Sequence, residues 1–247
     1  LYRESRGTAR LAYYMNEYGG YPIWENTSAQ YFPLGDDMYP VLLEELKKAE
    51  RYIFMEYFIV EKGEMWDSIL EILKEKAASG VEVRFMYDGM CSLTLMPYGY
   101  PKQLEKYGIR CKMFSPVRPV LSSYQNNRDH RKITVIDGKI GFTGGYNLAN
   151  EYFGFSHPYG EWKDTGIRLE GDAVRSLTIT FLEMWNAIKK NLPSDRSFEP
   201  YLPDEPYKAV QHGYVQPYAD SPLDDEQVGE EVYISMACLL YTSPSPR

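Results

Sequence analysis

Hydrophobic and polar residues follow two periods along this chain, one typical of helices and one typical of strands. Apolar residues three or four positions apart predict amphipathic helices, whereas short and strongly apolar runs predict strands. The predicted helices cover residues 36–49, 66–77, 100–108 and 174–188. The predicted strands cover residues 51–60, 81–88, 109–115, 130–137, 139–145 and 162–171.

The order of these elements predicts an α/β fold. Strands that alternate with helices imply crossover connections, so we expect a mixed but mainly parallel sheet with helices on both faces. The dipeptide Asp137-Gly138 lies between two apolar runs, which is a strong hairpin signal. It predicts that the strands 130–137 and 139–145 are antiparallel neighbours.

Composition divides the chain into four segments. Residues 1–35 are rich in Tyr, Gly, Asn and Pro, show no clear period and are predicted to be an irregular lead-in. Residues 36–191 hold the predicted α/β domain. Residues 192–236 are interpreted as an acidic surface linker, with one possible strand at 208–215, that ends in the first helix of a second half. Residues 237–247 lack an apolar period and are interpreted as a non-native tail.

The net charge of −8 conceals one basic zone. Residues 101–140 contain nine Lys/Arg and three Asp/Glu, a local charge of +6. A general nucleic-acid binder is usually basic overall, so no nucleic-acid partner is expected. The zone suits a small anionic group such as one phosphate, and a solvated charged face is the alternative interpretation.

Cysteine usage and hydropathy limit the class of protein further. The three cysteines contain no CxxC pair, which fits a reduced compartment and argues against a disulfide framework or a cysteine zinc site. No apolar run approaches the ~20 residues of a membrane span, and no signal peptide is visible. The sequence leaves open whether a membrane anchor lies upstream of Leu1.

The stretch from His130 to Asn147 carries the candidate chemistry. Strand alternation places His130 and Lys132 on one face, where the ammonium group lowers the pKa of the imidazole and leaves a neutral nucleophile or base. Gly144 and Gly145 let the backbone approach a ligand, and the amide of Asn147 can donate to a phosphoryl oxygen. The alternative is an ordinary hairpin with an exposed His and Lys.

The spacing His130-x-Lys132-x4-Asp137-x6-Gly144-Gly145-x-Asn147 resembles the HKD signature of the phospholipase D superfamily. Longer segments, among them "GGYPIWENTSAQYFPLGDDMYPVLLEELKKAERYIFMEYFIV", "VRFMYDGM" and "GGYNLANEYF", resemble the bacterial cardiolipin synthases. The resemblance covers nearly the whole chain except its last ten or so residues.

The resemblance implies a reaction and a set of roles. In this family one histidine attacks phosphorus, a second histidine from the other half of a pseudo-dimer serves as acid and base, and no metal or other cofactor is needed. A phosphatidyl group then passes from one phosphatidylglycerol to another with release of glycerol. It implies that His130 is the nucleophile, that Lys132 and Asn147 hold the phosphate, and that Asp164 orients the histidine. A strand-end turn contact is the alternative for Asp164.

Three other acids are candidates of a different kind. Asp137 lies at the hairpin turn and on the face opposite His130, so it is predicted to be structural. Glu56 sits in an apolar strand, where a carboxylate is costly unless paired, and it either lines the site or bonds a neighbouring backbone. Asp88 ends a strand, which suits a site-lining residue or a turn residue. His157 and His212 are expected at the surface.

Only one HKD motif is visible, so the chain alone is expected to be inactive or nearly so. A second half or a homodimer partner would complete the site. The alternatives are another phosphodiesterase or a nuclease of the same superfamily that acts as a homodimer, and an inactive fragment. A lipid substrate predicts work at the bacterial cytoplasmic membrane, either peripherally or through an upstream anchor, with residues 116–129 as a candidate membrane-contact loop.

Overall fold

The computed structural model describes residues 5–92, 94–97, 99–116, 128–158, 160–188, 195–204, 207–220 and 226–239. The helices are α1 (Arg6–Glu17), α2 (Gly35–Lys48), α3 (Glu64–Ala78), α4 (Tyr100–Glu105), α5 (Val174–Ala187) and α6 (Val228–Leu239). The strands are β1 (Thr27–Phe32), β2 (Tyr52–Tyr57), β3 (Glu82–Asp88), β4 (Arg110–Phe114), β5 (Ile133–Ile136), β6 (Ile140–Gly144) and β7 (Gly166–Gly171).

The seven strands form one sheet in the order β1-β7-β6-β5-β2-β3-β4. Among the described residues, β2–β3 and β3–β4 pair in parallel and the other four pairings are antiparallel. The α/β class is confirmed, but the prediction of a mainly parallel sheet is wrong. Helical crossovers join the parallel neighbours β2–β3 and β3–β4, while β5, β6 and β7 follow one another as antiparallel neighbours.

Helices cover both faces of the sheet, as predicted. On one face, α5 packs on β2 and β5 through side chains such as Phe54, Val135 and Phe181. On the other face, α2 and α3 bury side chains such as Leu42 and Trp66. Because β2 is covered on both sides, all six of its residues are buried, which explains its near-continuous apolar sequence.

The prediction of an irregular segment 1–35 is wrong. It contains α1, which begins where the Ser5 side chain accepts a hydrogen bond from Thr8 N, and β1, which pairs with β7 in the same sheet. The apolar face of α1 is narrow, with Ala12 and Met15 as its buried residues, and the helix exposes Tyr13, so its apolar period is weak. Met15 packs against α6, which joins the two ends of the described chain.

The acidic segment packs back on the domain. The possible strand at 208–215 was wrong for the described residues 207–215, because pairing there consists of a single bridge between Trp24 and Val215. The predicted helix near residue 224 appears as α6, which extends through Leu239 into the segment interpreted as a tail. Residues 240–247 lie outside the described part. No described helix is both long and apolar enough to span a bilayer.

Candidate active site

The hairpin β5–β6 and the extended residues before it carry the candidate site. His130 is exposed at the rim of a cavity of about 310 Å³, and Lys132 and Gly144 also line this cavity. Thr180 of α5 and Gln216 of the acidic segment form part of the opposite wall. The structure therefore brings together three of the residues that the sequence proposed for phosphate chemistry.

Lys132 is buried behind His130, with 6% of its surface exposed. Its Nζ donates a hydrogen bond to the carbonyl oxygen of His130 at 2.7 Å and lies 5.5 Å from the centre of the Phe58 ring. Burial lowers the pKa of Lys132 to about 8, against the opposing charges of Asp129 and Asp164. The amine is thus mostly positive at neutral pH, although weakly so for a lysine.

The His130 imidazole packs on Phe58, with ring centroids 4.9 Å apart. Its pKa is lowered, mainly by burial and then by the Lys132 charge, while Asp129 and Asp88 oppose the shift. Since the ordinary pKa of a histidine is 6.5, a lowered pKa leaves the ring predominantly neutral at pH 7. A neutral imidazole has a lone pair with which it can attack phosphorus or accept a proton.

The two glycines allow a close approach of β6 to residues 164–166. A Cβ atom on Gly144 would clash with the Thr165 carbonyl oxygen, and one on Gly145 would clash with Asp164 Oδ1. The Gly145 amide donates to the Thr165 carbonyl oxygen at 3.1 Å, so it is already used inside the protein. These glycines therefore have a packing role in addition to any contact with a ligand.

Asp164 does not make the predicted contact with the histidine. Its Oδ1 accepts a hydrogen bond from Thr165 N at 2.7 Å, and its charge raises the pKa of Lys132. Within the described part of the chain, no hydrogen bond joins the Asp164 carboxylate to the His130 ring, and the turn contact that was the alternative is present. Asp164 therefore influences the site through the electrostatics of Lys132.

Asn147 is buried and links three segments. Its Oδ1 accepts a hydrogen bond from Ile59 N and its Nδ2 donates to Tyr152 Oη, both at 2.9 Å. One of the two Nδ2 hydrogens is thus used internally, which leaves one with which the predicted phosphate contact could be made. The amide holds the loop after β2 beside the end of the hairpin, so it contributes to the frame of the site.

Asp137 lies at the other end of the hairpin from His130. It has a φ of 55°, a left-handed conformation that Asp tolerates better than most residues. Its carboxylate accepts hydrogen bonds from the backbone amides of Glu50, Arg51 and Tyr52 at 2.8–2.9 Å. These contacts attach the hairpin turn to the start of β2 and give Asp137 a structural environment.

Glu56 and Asp88 lie beneath the histidine segment and are both fully buried. Glu56 does not open onto the cavity, and its Oε1 is 2.8 Å from Nη2 of Arg131. Asp88 accepts hydrogen bonds from Met90 N at 2.8 Å and from Asp129 N at 3.0 Å. Both acids therefore hold the segment that carries His130, and neither lines the cavity.

The basic residues of the zone 101–140 make several different kinds of contact in the structure. Lys112 is buried and donates to the carbonyl oxygens of Trp185 and Ile188 at the end of α5. Arg128 contacts Asp88, and Arg131 contacts Glu56 and Asp129. The zone is thus neither one solvated face nor one anion site, and Lys132 is the member whose amine bonds the histidine backbone.

Several site residues were not predicted. Phe58 carries the His130 ring, and Asp129 and Arg131 flank the histidine in the chain. Gln216 donates to the carbonyl oxygens of Ala12 and Tyr21, which places residues 216–219 beside the cavity. The alternation that puts His130 and Lys132 on one face puts Arg131 on the other, but no local pattern indicated the remaining contacts.

Two further expectations concern residues away from the cavity. His157 and His212 are exposed, as predicted. Residues 117–127 of the predicted membrane-contact loop lie outside the described part of the chain. Among the described residues, no group of three or more His, Cys, Asp or Glu side chains has an arrangement that could hold a metal ion.

Two solved structures share the fold of this chain. NucT from Helicobacter pylori is 17% identical with a TM-score of 0.50, and the match covers 64% of this chain and 96% of NucT. The phosphatidylserine synthase of Haemophilus influenzae is 16% identical with a TM-score of 0.54, over 74% of this chain and 41% of that chain. At these identities the likeness concerns the fold alone.

The sequence comparison defines the family. Residues 42–176 match the family described as "Cardiolipin synthase, PLD-like domain", so the chain belongs to this branch of the phospholipase D superfamily. The predicted resemblance is therefore confirmed.

Similar full-length proteins extend this match over most of the chain. An uncharacterized protein of Streptococcus mutans is 49% identical over 239 residues, which are 96% of this chain and 51% of that protein. The cardiolipin synthase of Geobacillus kaustophilus is 36% identical over 234 residues, which are 94% and 45%. The chain thus spans about half the length of the curated relatives it matches.

Proposed function

We propose that this chain carries the His130 half-site of a phosphatidyltransferase of the cardiolipin synthase type. Membership of the family supports the reaction class. The observation that carries the proposal is the position of His130, a predominantly neutral imidazole at a cavity rim with the buried Lys132 amine directly behind it. The proposed donor and acceptor are both phosphatidylglycerol.

The proposed reaction has two steps. In the first, a ring nitrogen of His130 attacks phosphorus, and the bond from phosphorus to the oxygen of the headgroup glycerol breaks. The departing alkoxide takes a proton from a general acid. In the second, the hydroxyl of another phosphatidylglycerol gives its proton to the same group and attacks phosphorus, and the phosphorus–nitrogen bond breaks. Lys132 and Asn147 stabilise the negative charge on the phosphoryl oxygens.

We propose that a second motif supplies the general acid. The 247 residues contain one His-x-Lys sequence, and the cardiolipin synthase relatives are about twice as long as the region matched here. The second motif would come from another part of a longer protein or from a second copy of this chain. In the absence of both, we expect turnover of phosphatidylglycerol to be very slow.

The proposed place of action is the surface of the bacterial cytoplasmic membrane, because both substrates are lipids of the bilayer. Binding would be peripheral or would use an anchor elsewhere in the protein. Val117, Val120 and Leu121, which lie beside Arg118 in the sequence, stay our proposal for the membrane contact. Liposome binding that is unchanged by Val120→Asp and Leu121→Asp together would contradict it.

The first experiment isolates the nucleophile. The chain is incubated with radiolabelled bis(p-nitrophenyl) phosphate, from which nitrophenolate departs without a proton, so no general acid is required. We expect one acid-labile label per active chain and a matching burst of nitrophenol. The label should disappear in His130→Ala and persist in His157→Ala, whose histidine is exposed and distant in sequence. A folded wild-type chain without label would refute the nucleophile.

The second experiment addresses the substrate and the second motif. Turnover of phosphatidylglycerol in mixed micelles is measured beside the oligomeric state in solution, with single-stranded DNA as the competing substrate. Cleavage of DNA without any action on the lipid would favour a nuclease and contradict the proposed substrate. Robust lipid turnover by a strict monomer would contradict the requirement for a second motif.

A further inference from the structure

Glu56 occupies an unusual position for a carboxyl group. It lies in β2, the strand between β5 and β3, on the face that α5 covers, and none of its surface is exposed. Its strand neighbour in β5 is Ile133, the first residue after the histidine segment. A charge at such a depth is costly unless it is paired and hydrogen-bonded, so Glu56 requires a specific explanation.

The residues on the two sides of His130 converge on this carboxyl group. Nη2 of Arg131 lies 2.8 Å from Oε1 of Glu56, and Nε of Arg131 lies 3.2 Å from Oδ1 of Asp129. Asp129 Oδ1 also accepts from the Arg131 amide at 3.3 Å, which closes a tight loop around the histidine. The residues before and after His130 thus form one buried ionic cluster with Glu56.

The acceptors of this cluster outnumber the donors without a partner. Both oxygens of Glu56 and Oδ2 of Asp129 are buried without a hydrogen-bond partner among the described residues, and so is Nη2 of Arg131, because its contact with Glu56 lacks hydrogen-bond geometry. Two ionised carboxylates cannot bond each other, since both are acceptors only. A single proton on Glu56 would turn it into a donor toward Asp129 and would satisfy two of these atoms.

The charge of the cluster favours the same proton. Glu56, Asp129 and Asp88 supply three carboxyl groups, while Arg131 and Arg128 supply two positive charges. Burial raises the pKa of Glu56 well above its usual value, the neighbouring Asp129 raises it further, and Arg131 opposes the shift. The other titratable groups that face Arg131 are Tyr21 and, across a neighbouring cavity, Glu183 of α5.

We propose that Glu56 is a positioning residue that acts in its protonated form, donating a hydrogen bond to Asp129 and closing, with Arg131, a buried clamp on both sides of His130. The clamp fixes the backbone from which the imidazole projects, while Lys132 fixes the carbonyl oxygen of the same residue. The proposal rests on the proposed role of His130 as the nucleophile. In this role Glu56 acts without contacting the substrate.

Three substitutions separate the clamp from simple packing. Glu56→Gln keeps the shape and supplies an amide donor to Asp129, so it should imitate the protonated acid. Glu56→Met keeps the approximate length but removes the hydrogen bond and the contact with Arg131. The matched control is Tyr57→Phe, which removes a buried hydrogen bond to Thr134 at the next position of the same strand, on the opposite face.

The primary measurement is the nitrophenol burst with bis(p-nitrophenyl) phosphate, normalised to folded protein. We expect Glu56→Gln to react within about twofold of the wild type, and Glu56→Met to react at least tenfold more slowly with an unchanged KM, the order of effect expected for a displaced catalytic group (~10²-fold per Å). Tyr57→Phe should leave the rate unchanged. A tenfold loss in Glu56→Gln, or a normal rate in folded Glu56→Met, would overturn the proposal.

A pH series provides a test that does not need Glu56→Met to fold. A carboxyl group whose pKa is raised in the native state makes the protein less stable as pH rises from the unfolded-state pKa near 4.5 toward the native-state pKa. Glu56→Gln has no such proton to lose. The free energy of unfolding of Glu56→Gln relative to the wild type should therefore increase as pH rises above about 4.5, and a flat difference would overturn the protonated form.

The imidazole resonances of His130 separate this inference from the proposed function. They should stay close to those of the wild type in Glu56→Gln and shift or broaden in Glu56→Met. If no variant, including the wild type, forms a phosphohistidine, the proposed function fails while these resonances still test the clamp. If the wild type reacts and neither variant changes the rate or the resonances, the clamp fails and the function stands.

Discussion

The Nζ atom of Lys132 donates a hydrogen bond to the carbonyl oxygen of His130 at 2.7 Å. The same amine that lowers the pKa of the imidazole therefore also holds the backbone of the histidine. Lys132 is buried, with its pKa lowered to about 8, so its charge changes within an accessible range of pH. These properties make Lys132 the most informative residue of the half-site to vary.

We predict that the reaction with bis(p-nitrophenyl) phosphate decreases as pH rises through about 8, because the neutral amine no longer stabilises the phosphoryl oxygens. Lys132→Met should lower the rate at all pH values by about 10²–10³-fold, the typical effect of losing one such donor. Lys132→Arg keeps its charge, so whatever activity it retains should not decrease near pH 8. A decrease at the same pH in Lys132→Arg would assign the titration to another group.

The same lysine should affect stability with a defined sign. Its native pKa of about 8 is below the unfolded value of 10.5, so the unfolded chain binds more protons between these values. A component of the free energy of unfolding should therefore increase from pH 8 to pH 10.5. Urea denaturation of Lys132→Met should lack this component relative to the wild type, and an identical pH dependence would contradict the lowered pKa.

We predict that His130 titrates below pH 6.5 in nuclear magnetic resonance spectra, since burial and the Lys132 charge both disfavour the imidazolium form. Lys132→Met removes the second cause, so the His130 midpoint should rise in this variant. The chain has only three histidines, and the exposed His157 and His212 serve as internal references. A His130 midpoint that does not respond to Lys132→Met would contradict the electrostatic coupling.

Local sequence patterns predicted the hairpin and its histidine because both depend on neighbouring residues. Asp137-Gly138 specified the turn, and alternation placed Thr134 on the face opposite Ile133, as the structure has it. Whether neighbouring strands run parallel or antiparallel depends on strand pairs that are distant in sequence, such as β1 with β7, which join residues 27–32 to residues 166–171. No local period reports such a pairing, so the mainly parallel sheet was wrong.

The contacts of the buried charged residues could not be predicted from local sequence patterns either. Glu56 could be recognised as costly in an apolar strand, but its partner Arg131 lies 75 positions away and reaches it only because β2 and β5 are neighbours. The family resemblance that assigned a role to Asp164 could not show that its carboxylate lies against Gly145. Residue types and motif spacing thus predict which groups assemble, whereas side-chain packing decides which contacts they make.

We predict that Gly144→Ala and Gly145→Ala have different effects. A Cβ atom on Gly144 would meet the backbone at the Thr165 carbonyl oxygen, which cannot move without β7, so we expect a loss of about 1–3 kcal/mol in the free energy of unfolding. The nearest atoms to a Cβ atom on Gly145 would be those at the end of the Asp164 side chain, which can rotate away. Gly213→Ala is the control, because nothing lies within 4 Å of the added atom.

The displaced carboxylate in Gly145→Ala tests the task of Asp164. Because the Asp164 charge raises the pKa of Lys132, its displacement should move the alkaline decrease in reaction rate to a lower pH. Asp164→Asn should cause the same movement, and the double variant should move no further than either single one. Additive movements in the double variant would show that Gly145→Ala acts through another group.

Asp137 should act on stability and leave the chemistry of His130 intact. Its two carboxylate oxygens accept three backbone hydrogen bonds, from Glu50 to Oδ2 and from Arg51 and Tyr52 to Oδ1. Asp137→Asn keeps one acceptor oxygen and tolerates the left-handed backbone, so it should lose only part of these bonds. Asp137→Ala loses all three and must adopt a φ of 55° with an ordinary side chain.

We therefore predict a graded loss in the free energy of unfolding from the wild type through Asp137→Asn to Asp137→Ala, at about 1 kcal/mol or more for each lost hydrogen bond. Urea denaturation measures this series. Because the turn lies at the far end of the hairpin, the nitrophenol burst per folded molecule should stay within about twofold of the wild type in both variants, far less than the 10²-fold effect of displacing a catalytic group. A burst that decreases tenfold in Asp137→Asn while the protein stays folded would place Asp137 in the chemistry, since packing alone could not transmit so large an effect from a turn that is still closed.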